Sequence, residues 1–139
     1  MRRELKMFLN DLPKTLIEPY LNLAYTLIYA DESCTEEELN ALQLYATELG
    51  IIQLPEIHKI DFTEALLLFS DLDKSLRKKV YFELFSLSYV DTNCTGNERN
   101  LLKNAAQILG ITENEVIDIE NITMKLIFDY EQLGYIINA

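Results

Sequence analysis

Residues 24–51 read AYTLIYADESCTEEELNALQLYATELGI, and residues 84–111 read LFSLSYVDTNCTGNERNLLKNAAQILGI, so the second stretch repeats the first at an offset of 60. Twelve of the 28 aligned positions are identical. Each copy has the pattern of a helix, a short loop and a second helix that ends in Leu-Gly-Ile. Because stacked solenoids generally need three or more repeats, this doubling predicts two helical halves related by a pseudo-twofold axis.

The remainder of the sequence also predicts an all-α fold. The chain has four glycines, three prolines and no Asn-Gly or Asp-Gly hairpin turn, and no apolar/polar alternation is long enough for a half-buried strand. We predict a single domain over residues 1–139 with about seven helices. Their approximate ranges are 4–9, 13–30, 35–49, 61–69, 72–90, 95–109 and 112 onward. Helices 13–30 and 72–90 have the broadest apolar faces, so we expect them to be central and to cross around the axis.

The last predicted helix carries apolar residues at helical spacing along its whole length. They are Val116, Ile119, Ile122, Leu126, Tyr130, Leu133 and Ile137. Two glycines, Gly50 and Gly110, follow the second helix of each repeat, at the position where a helix commonly ends in a left-handed residue.

The charge and the apolar stretches exclude several classes of protein. The chain has 12 basic and 23 acidic residues, a net charge of −11, which disfavours binding to nucleic acid or to an anionic membrane. The longest uncharged apolar stretch, residues 19–30, is shorter than the roughly 18 residues of a membrane span. The N-terminus lacks a signal-peptide pattern, and two cysteines are too few for a disulfide framework. We therefore expect a cytoplasmic protein.

The repeated loop is the main chemical signal in the sequence. Thr-x-x-Glu at residues 35–38 and 95–98 is a capping box, in which the threonine and glutamate side chains each bond a backbone amide. Capping does not account for Asp31 and Asp91, which lie where the preceding helix ends and its dipole disfavours a carboxylate. Two interpretations remain open for these aspartates: a structural turn, or participation in an acidic cation site.

Other site types find little support in the residues. An EF-hand loop would need a glutamate where the two copies have Leu42 and Leu102. His58 is the only histidine and has no catalytic motif around it, and the two cysteines lack zinc-binding spacing. We therefore expect a protein that is not an enzyme.

The pattern ADESCTEEE at residues 30–38, repeated as VDTNCTGNE at 90–98, resembles the tellurite-resistance TerB family and the TerB-like domain of DjlA-type co-chaperones. The resemblance covers about residues 12–137 and includes the doubling. It implies an all-helical domain of two intertwined halves with an acidic site for a divalent metal. By position, Asp31, Glu38, Asp91 and Glu98 match the acidic residues of the family. The glycine that usually follows the aspartate is replaced here by Glu32 and Thr92.

Two functional hypotheses follow. The first is a non-enzymatic, stress-response module that binds a divalent cation where Asp31, Glu38, Asp91 and Glu98 converge and that docks on partner proteins. Carboxylate oxygens favour Ca²⁺ or Mg²⁺ before Zn²⁺. The alternative is a helical protein-interaction adaptor with no metal site, in which the loops only cap helices and the acidic surface keeps the domain in solution.

Overall fold

The structure, a computed structural model, describes residues 11–30, 61–88 and 96–139, together with Glu36, Asn40, Gln43, Leu44 and Thr47. Within these residues every regular element is helical, which confirms the all-α prediction. A short 3-10 turn at Lys14–Leu16 leads into the first of five α-helices. The helices are α1 (Ile17–Ile28), α2 (Phe62–Leu67), α3 (Lys74–Ser88), α4 (Gly96–Ile108) and α5 (Glu113–Asn138).

Two of the seven predicted helices are not among these five. The predicted helix at 4–9 lies outside the described residues. In the range 35–49, the five separately described residues are all helical, and the hydroxyl of Thr47 donates to the carbonyl of Gln43 at 2.9 Å, one turn earlier. The number seven and the internal repeat therefore stay predictions.

The core is built around α1 and α3, which pack against each other. Helix α1 also contacts α2 and α4, and α3 also contacts α4 and α5. Leu27 and Leu87, which occupy the same position in the two sequence repeats, are both fully buried. The other side chains without exposed surface in this core include Tyr20, Leu21, Leu23, Leu66, Phe69, Leu84, Phe85 and Leu109.

Side-chain caps explain where two of the helices begin. The carboxylate of Asp61 accepts hydrogen bonds from the backbone amides of Thr63 and Glu64, at 3.1 and 3.4 Å, at the start of α2. Thr112 and Glu115 form a complete capping box at the start of α5. These bonds satisfy amides that have no partner within the helix. Helix α4 begins at Gly96, directly after the threonine of the second predicted capping box.

The end of α4 depends on Gly110. This residue has φ of 68°, a left-handed conformation that costs side-chain-bearing residues about 1–2 kcal/mol. The turn places the amide of Ile111 3.0 Å from the carbonyl of Ala106, as in a Schellman cap. A Cβ atom at Gly110 would lie 2.8 Å from Nη1 of Arg77, so the backbone conformation favours glycine, and a side chain there would also displace the guanidinium.

Helix α5 is buried against the rest of the described fold only along its first half. Its 26 residues span about 39 Å at 1.5 Å per residue. Its buried residues are Glu120, Thr123 and Ile127, all in the first 15 positions. The helix continues for 11 residues beyond Ile127 without another buried side chain. None of the described helices is long and apolar enough to cross a membrane.

Candidate functional site

The structure describes one of the four predicted cation-site residues. Asp31, Glu38 and Asp91 lie outside the described residues, whereas Glu98 is the third residue of α4. Its side chain is buried, with 4% of its surface exposed. Burial of a carboxylate is costly unless hydrogen bonds or cations compensate it, and a capping-box glutamate has such a hydrogen bond with the backbone amide of the cap residue.

The described edges of the two repeated loops are in contact. The side-chain amide of Asn97 donates a hydrogen bond to the carbonyl of Ala30, at 3.4 Å. Ala30 directly precedes Asp31, and Asn97 directly precedes Glu98. The contact therefore lies next to one predicted ligand in each loop, Asp31 in the first and Glu98 in the second.

A small hollow of about 350 Å³ lies at this contact between the end of α1 and the start of α4. Its lining residues are Thr26, Tyr29, Ala30, Asn97, Asn100 and Leu101. Tyr29 is held by stacking on Tyr25, with ring centroids 4.6 Å apart. Hydroxyl and amide oxygens of such residues are suitable ligands for hard cations.

The described part of the chain does not by itself assemble a metal centre. Among the residues that the structure covers, no group of three or more His, Cys, Asp or Glu side chains is placed to hold an ion. Glu98, the one described residue of the predicted site, is not among the residues that line the hollow.

A second polar cluster joins three helices. The hydroxyl of Tyr81 on α3 donates to one carboxylate oxygen of Glu120 on α5, and Arg99 on α4 donates to the other, at 3.0 Å. Tyr81 and Glu120 are 1% and 9% exposed. Because both carboxylate oxygens accept hydrogen bonds, the cluster is suited to fixing the three helices relative to each other. The sequence analysis missed it.

A groove of about 600 Å³ lies between α3 and α5. Its apolar wall consists of Phe82, Ile119, Ile122 and Leu126, and Lys74, Lys78 and Lys79 also line it. The apolar surface continues along α5 past the end of the groove. We call the residues Ile122, Leu126, Tyr130, Leu133 and Ile137 the α5 stripe. The stripe is exposed: Ile122, Leu133 and Ile137 have 61%, 50% and 69% of their surface open.

The three lysines that line the groove form ion pairs with acidic side chains. Lys74 and Lys78 both contact the carboxylate of Glu115, at 3.1 and 2.6 Å, and Lys79 contacts Asp11 at 2.7 Å. The hydrogen bond from Lys78, together with those from the backbone of Thr112 and from Lys74, holds the pKa of Glu115 well below its ordinary value. Glu115 thus links the start of α5 to the start of α3.

Comparisons with known proteins do not extend this description. No family model matches the chain, and searches of curated proteins and of solved structures give no significant match.

Proposed function

We propose that this protein is a non-enzymatic stress-response module, similar to TerB proteins, that holds a divalent cation between its two repeated loops and docks on partner proteins. Asp31, Glu38, Asp91 and Glu98 supply the carboxylates of the site. The two halves of the chain are related by a pseudo-twofold axis, and central helices that pack side by side in the same direction bring the two loops together.

The hydrogen bond between Asn97 and Ala30 is the observation that carries this proposal. It joins the two loops at residues adjacent to Asp31 and Glu98. Two acidic loops in contact repel each other unless a cation or protons neutralise them. A cation with oxygen ligands removes that repulsion, and Ca²⁺ or Mg²⁺ fits this chemistry better than Zn²⁺.

The burial of Glu98 is consistent with the same site. Its carboxylate sits within the first turn of α4 and has little exposed surface.

A second candidate function is a helical protein-interaction adaptor without a metal ion. The exposed α5 stripe favours it, because a row of large apolar side chains on one helix is a docking surface that needs no cation. In this case the repeated loops have only their capping role.

Thermal unfolding with and without millimolar Ca²⁺, Mg²⁺, Mn²⁺ or Zn²⁺ separates the two candidates. A cation that binds only the folded state, present at a hundredfold excess over its Kd, stabilises that state by about 2.7 kcal/mol. We expect the melting temperature of the wild type to rise and that of the Asp31→Asn/Asp91→Asn double variant not to respond.

The matched control is Asp71→Asn/Asp118→Asn, which makes the same charge change at two exposed positions. It should respond to the cation as the wild type does. If the melting temperatures of both double variants respond equally, the cation binds elsewhere. If the wild type responds to none of the four ions, the adaptor without a metal site is the function that remains.

A further inference from the structure

We infer that residues 1–10, which lie outside the described residues, cover the groove between α3 and α5 as an amphipathic helix. The apolar face of this helix packs on the apolar wall of the groove and on the beginning of the α5 stripe. The inference goes beyond the proposed function, because it names the occupant of a surface and not a role of the repeated loops. It holds whether or not those loops bind a cation.

The described part of the chain begins at the edge of this groove. Asp11 contacts Lys79 at 2.7 Å, and Lys79 lines the groove. The next residue, Leu12, is buried in the core. Residues 1–10 are therefore tethered beside the groove at a fixed point.

The segment is long enough to cover the groove. As a helix, residues 1–10 span about 15 Å at 1.5 Å per residue. The apolar wall that α5 contributes, from Ile119 to Leu126, is about 10 Å long by the same measure.

The apolar residues of the segment have the spacing of a helix that docks in a groove. Leu5, Phe8 and Leu9 lie at positions i, i+3 and i+4, and Leu12 lies at i+7. An amphipathic helix uses anchors at these four positions when it packs into an apolar groove. Because Leu12 is already buried in the described fold, a helix that continues its row turns the other three side chains toward the domain.

The two walls of the groove differ in charge. Lys74, Lys78 and Lys79 lie on the α3 side, where they form their ion pairs, and Asp118 lies on the α5 side. Among the described residues, no lysine or arginine pairs with Asp118. Helix α5 as a whole contains six acidic residues and one basic residue. The α5 side of the groove therefore favours an occupant with a basic flank.

The flanks of the segment match these two walls. On a helix, Glu4 and Asp11 share one side of the apolar row, whereas Arg2 and Lys6 share the other side. Asp11 lies on the α3 side of the groove through its ion pair. The opposite flank, with Arg2 and Lys6, then faces Asp118.

Net charge favours this segment over a second copy of the chain. Residues 1–10 contain three basic residues and one acidic residue, whereas residues 11–139 contain nine and 22. The segment and the remainder of the chain therefore attract each other, while two copies with a net charge of −11 each repel. A tethered segment also has an effective concentration of about 1 mM at its site.

Tryptophan fluorescence of the full chain in EDTA tests the contact, because the sequence contains no tryptophan. Phe8→Trp places the probe on the apolar row, and the matched control Met7→Trp places it on the opposite side of the same helix. We expect the Phe8→Trp protein to have blue-shifted emission and to be quenched by acrylamide several-fold less than the Met7→Trp protein. Equal quenching of the two proteins would overturn the inference.

A change in the groove should release the probe. Ile122→Lys in the Phe8→Trp protein puts a charge on the apolar wall, so the emission should shift to the red and quenching should rise to the level of the Met7→Trp protein. Ile117→Lys is the control, because Ile117 is similarly exposed on α5, 52% against 61%, and does not line the groove. An equal response to the two lysine variants would contradict a site in the groove.

Charge reversal tests the predicted flank. Asp118→Lys in the Phe8→Trp protein should raise quenching, and the further change Arg2→Glu/Lys6→Glu should lower it again. Quenching that stays high in the combined variant would show that Asp118 does not select the basic flank, and the proposed orientation would be wrong.

Concentration separates the segment from other occupants. Between about 1 and about 100 µM, below the effective concentration of a tethered segment, the emission of the Phe8→Trp protein should not change. A blue shift that develops only as the concentration rises would mean that a second copy supplies the contact, which would overturn the inference. Because EDTA removes divalent cations, none of these results depends on the cation site, so the failure of one proposal is distinguishable from the failure of the other.

Discussion

Arg77, in the first turn of α3, donates a hydrogen bond from Nη1 to the carbonyl of Leu109, at the end of α4, over 2.7 Å. Its Nε donates to the carbonyl of Leu72 at 2.9 Å. The last carbonyls of a helix have no partner within the helix and carry the negative end of its dipole. One guanidinium thus fixes the end of α4 to the start of α3.

Arg77→Met keeps most of the aliphatic stem and removes both hydrogen bonds. We expect the free energy of unfolding to fall by about 1–3 kcal/mol, the range for hydrogen bonds that involve a charged group. Urea denaturation measures it. Lys103→Met, at an exposed position of α4, should change stability little, and equal urea midpoints for the two variants would contradict the role of Arg77.

Gly110→Ala places a side chain on a left-handed residue and a Cβ atom against Arg77. We expect a loss of about 1–2 kcal/mol from the backbone conformation alone, with a further loss if the guanidinium is displaced. Gly96→Ala is the control, because nothing lies within 4 Å of a Cβ at that position. A Gly110→Ala protein as stable as the wild type would show that the turn tolerates a side chain.

Tyr81→Phe removes one of the two donors to the buried carboxylate of Glu120. Because a buried acceptor that loses a partner keeps its desolvation cost, we expect a loss of about 1–3 kcal/mol in chemical denaturation. Tyr135→Phe removes a hydroxyl from a side chain that is 71% exposed and should be neutral. Similar effects of the two changes would mean that Glu120 does not depend on Tyr81.

Glu115 predicts a pH dependence. Lys78, the backbone of Thr112 and Lys74 lower the pKa of its carboxyl in the folded state. A carboxyl with a lowered pKa stabilises the folded state at pH values above its unfolded pKa, and the contribution is lost as the pH falls below about 4.5. We therefore expect the difference in urea midpoint between the wild type and Glu115→Gln to be present at neutral pH and to shrink in acid.

Glu113→Gln, at the exposed first residue of α5, controls for the loss of a charge near the helix start. At neutral pH it should change the urea midpoint less than Glu115→Gln does. If the urea midpoints of the wild type and Glu115→Gln differ by the same amount at neutral and acidic pH, the ion pairs with the lysines are not the cause of that difference.

Local sequence signals predicted much of the described fold. Asp61 correctly predicted the start of α2, and Gly110 correctly predicted the end of α4. Both signals are local, because a cap or a left-handed glycine acts on residues close to it in sequence. Pro13 shows the limit of this approach: the α-helix begins at Ile17, after a 3-10 turn that follows the proline.

The contacts between helices could not be predicted in this way. Tyr81 and Arg99 meet Glu120 across 39 and 21 residues, and no local spacing marks such a cluster. The period of the last helix correctly showed which residues share a face, but period alone does not say what covers that face. Leu126 and Leu133 therefore fitted a core pattern although half of their surface is exposed. Of the predicted cation site, Glu98 lies buried in the first turn of α4, and the residue before Asp31 contacts the residue before Glu98.

The distribution of buried residues along α5 also implies that the two parts of this helix open independently. Up to Ile127 the helix is held by α3, so its amide hydrogens exchange with solvent only when that packing opens. The 11 residues that follow have no such support, and an isolated helix of that length is marginal in water. Their amides should therefore exchange far faster than those of the residues before Ile127. The second half of α5 therefore opens at a lower free-energy cost than the first half.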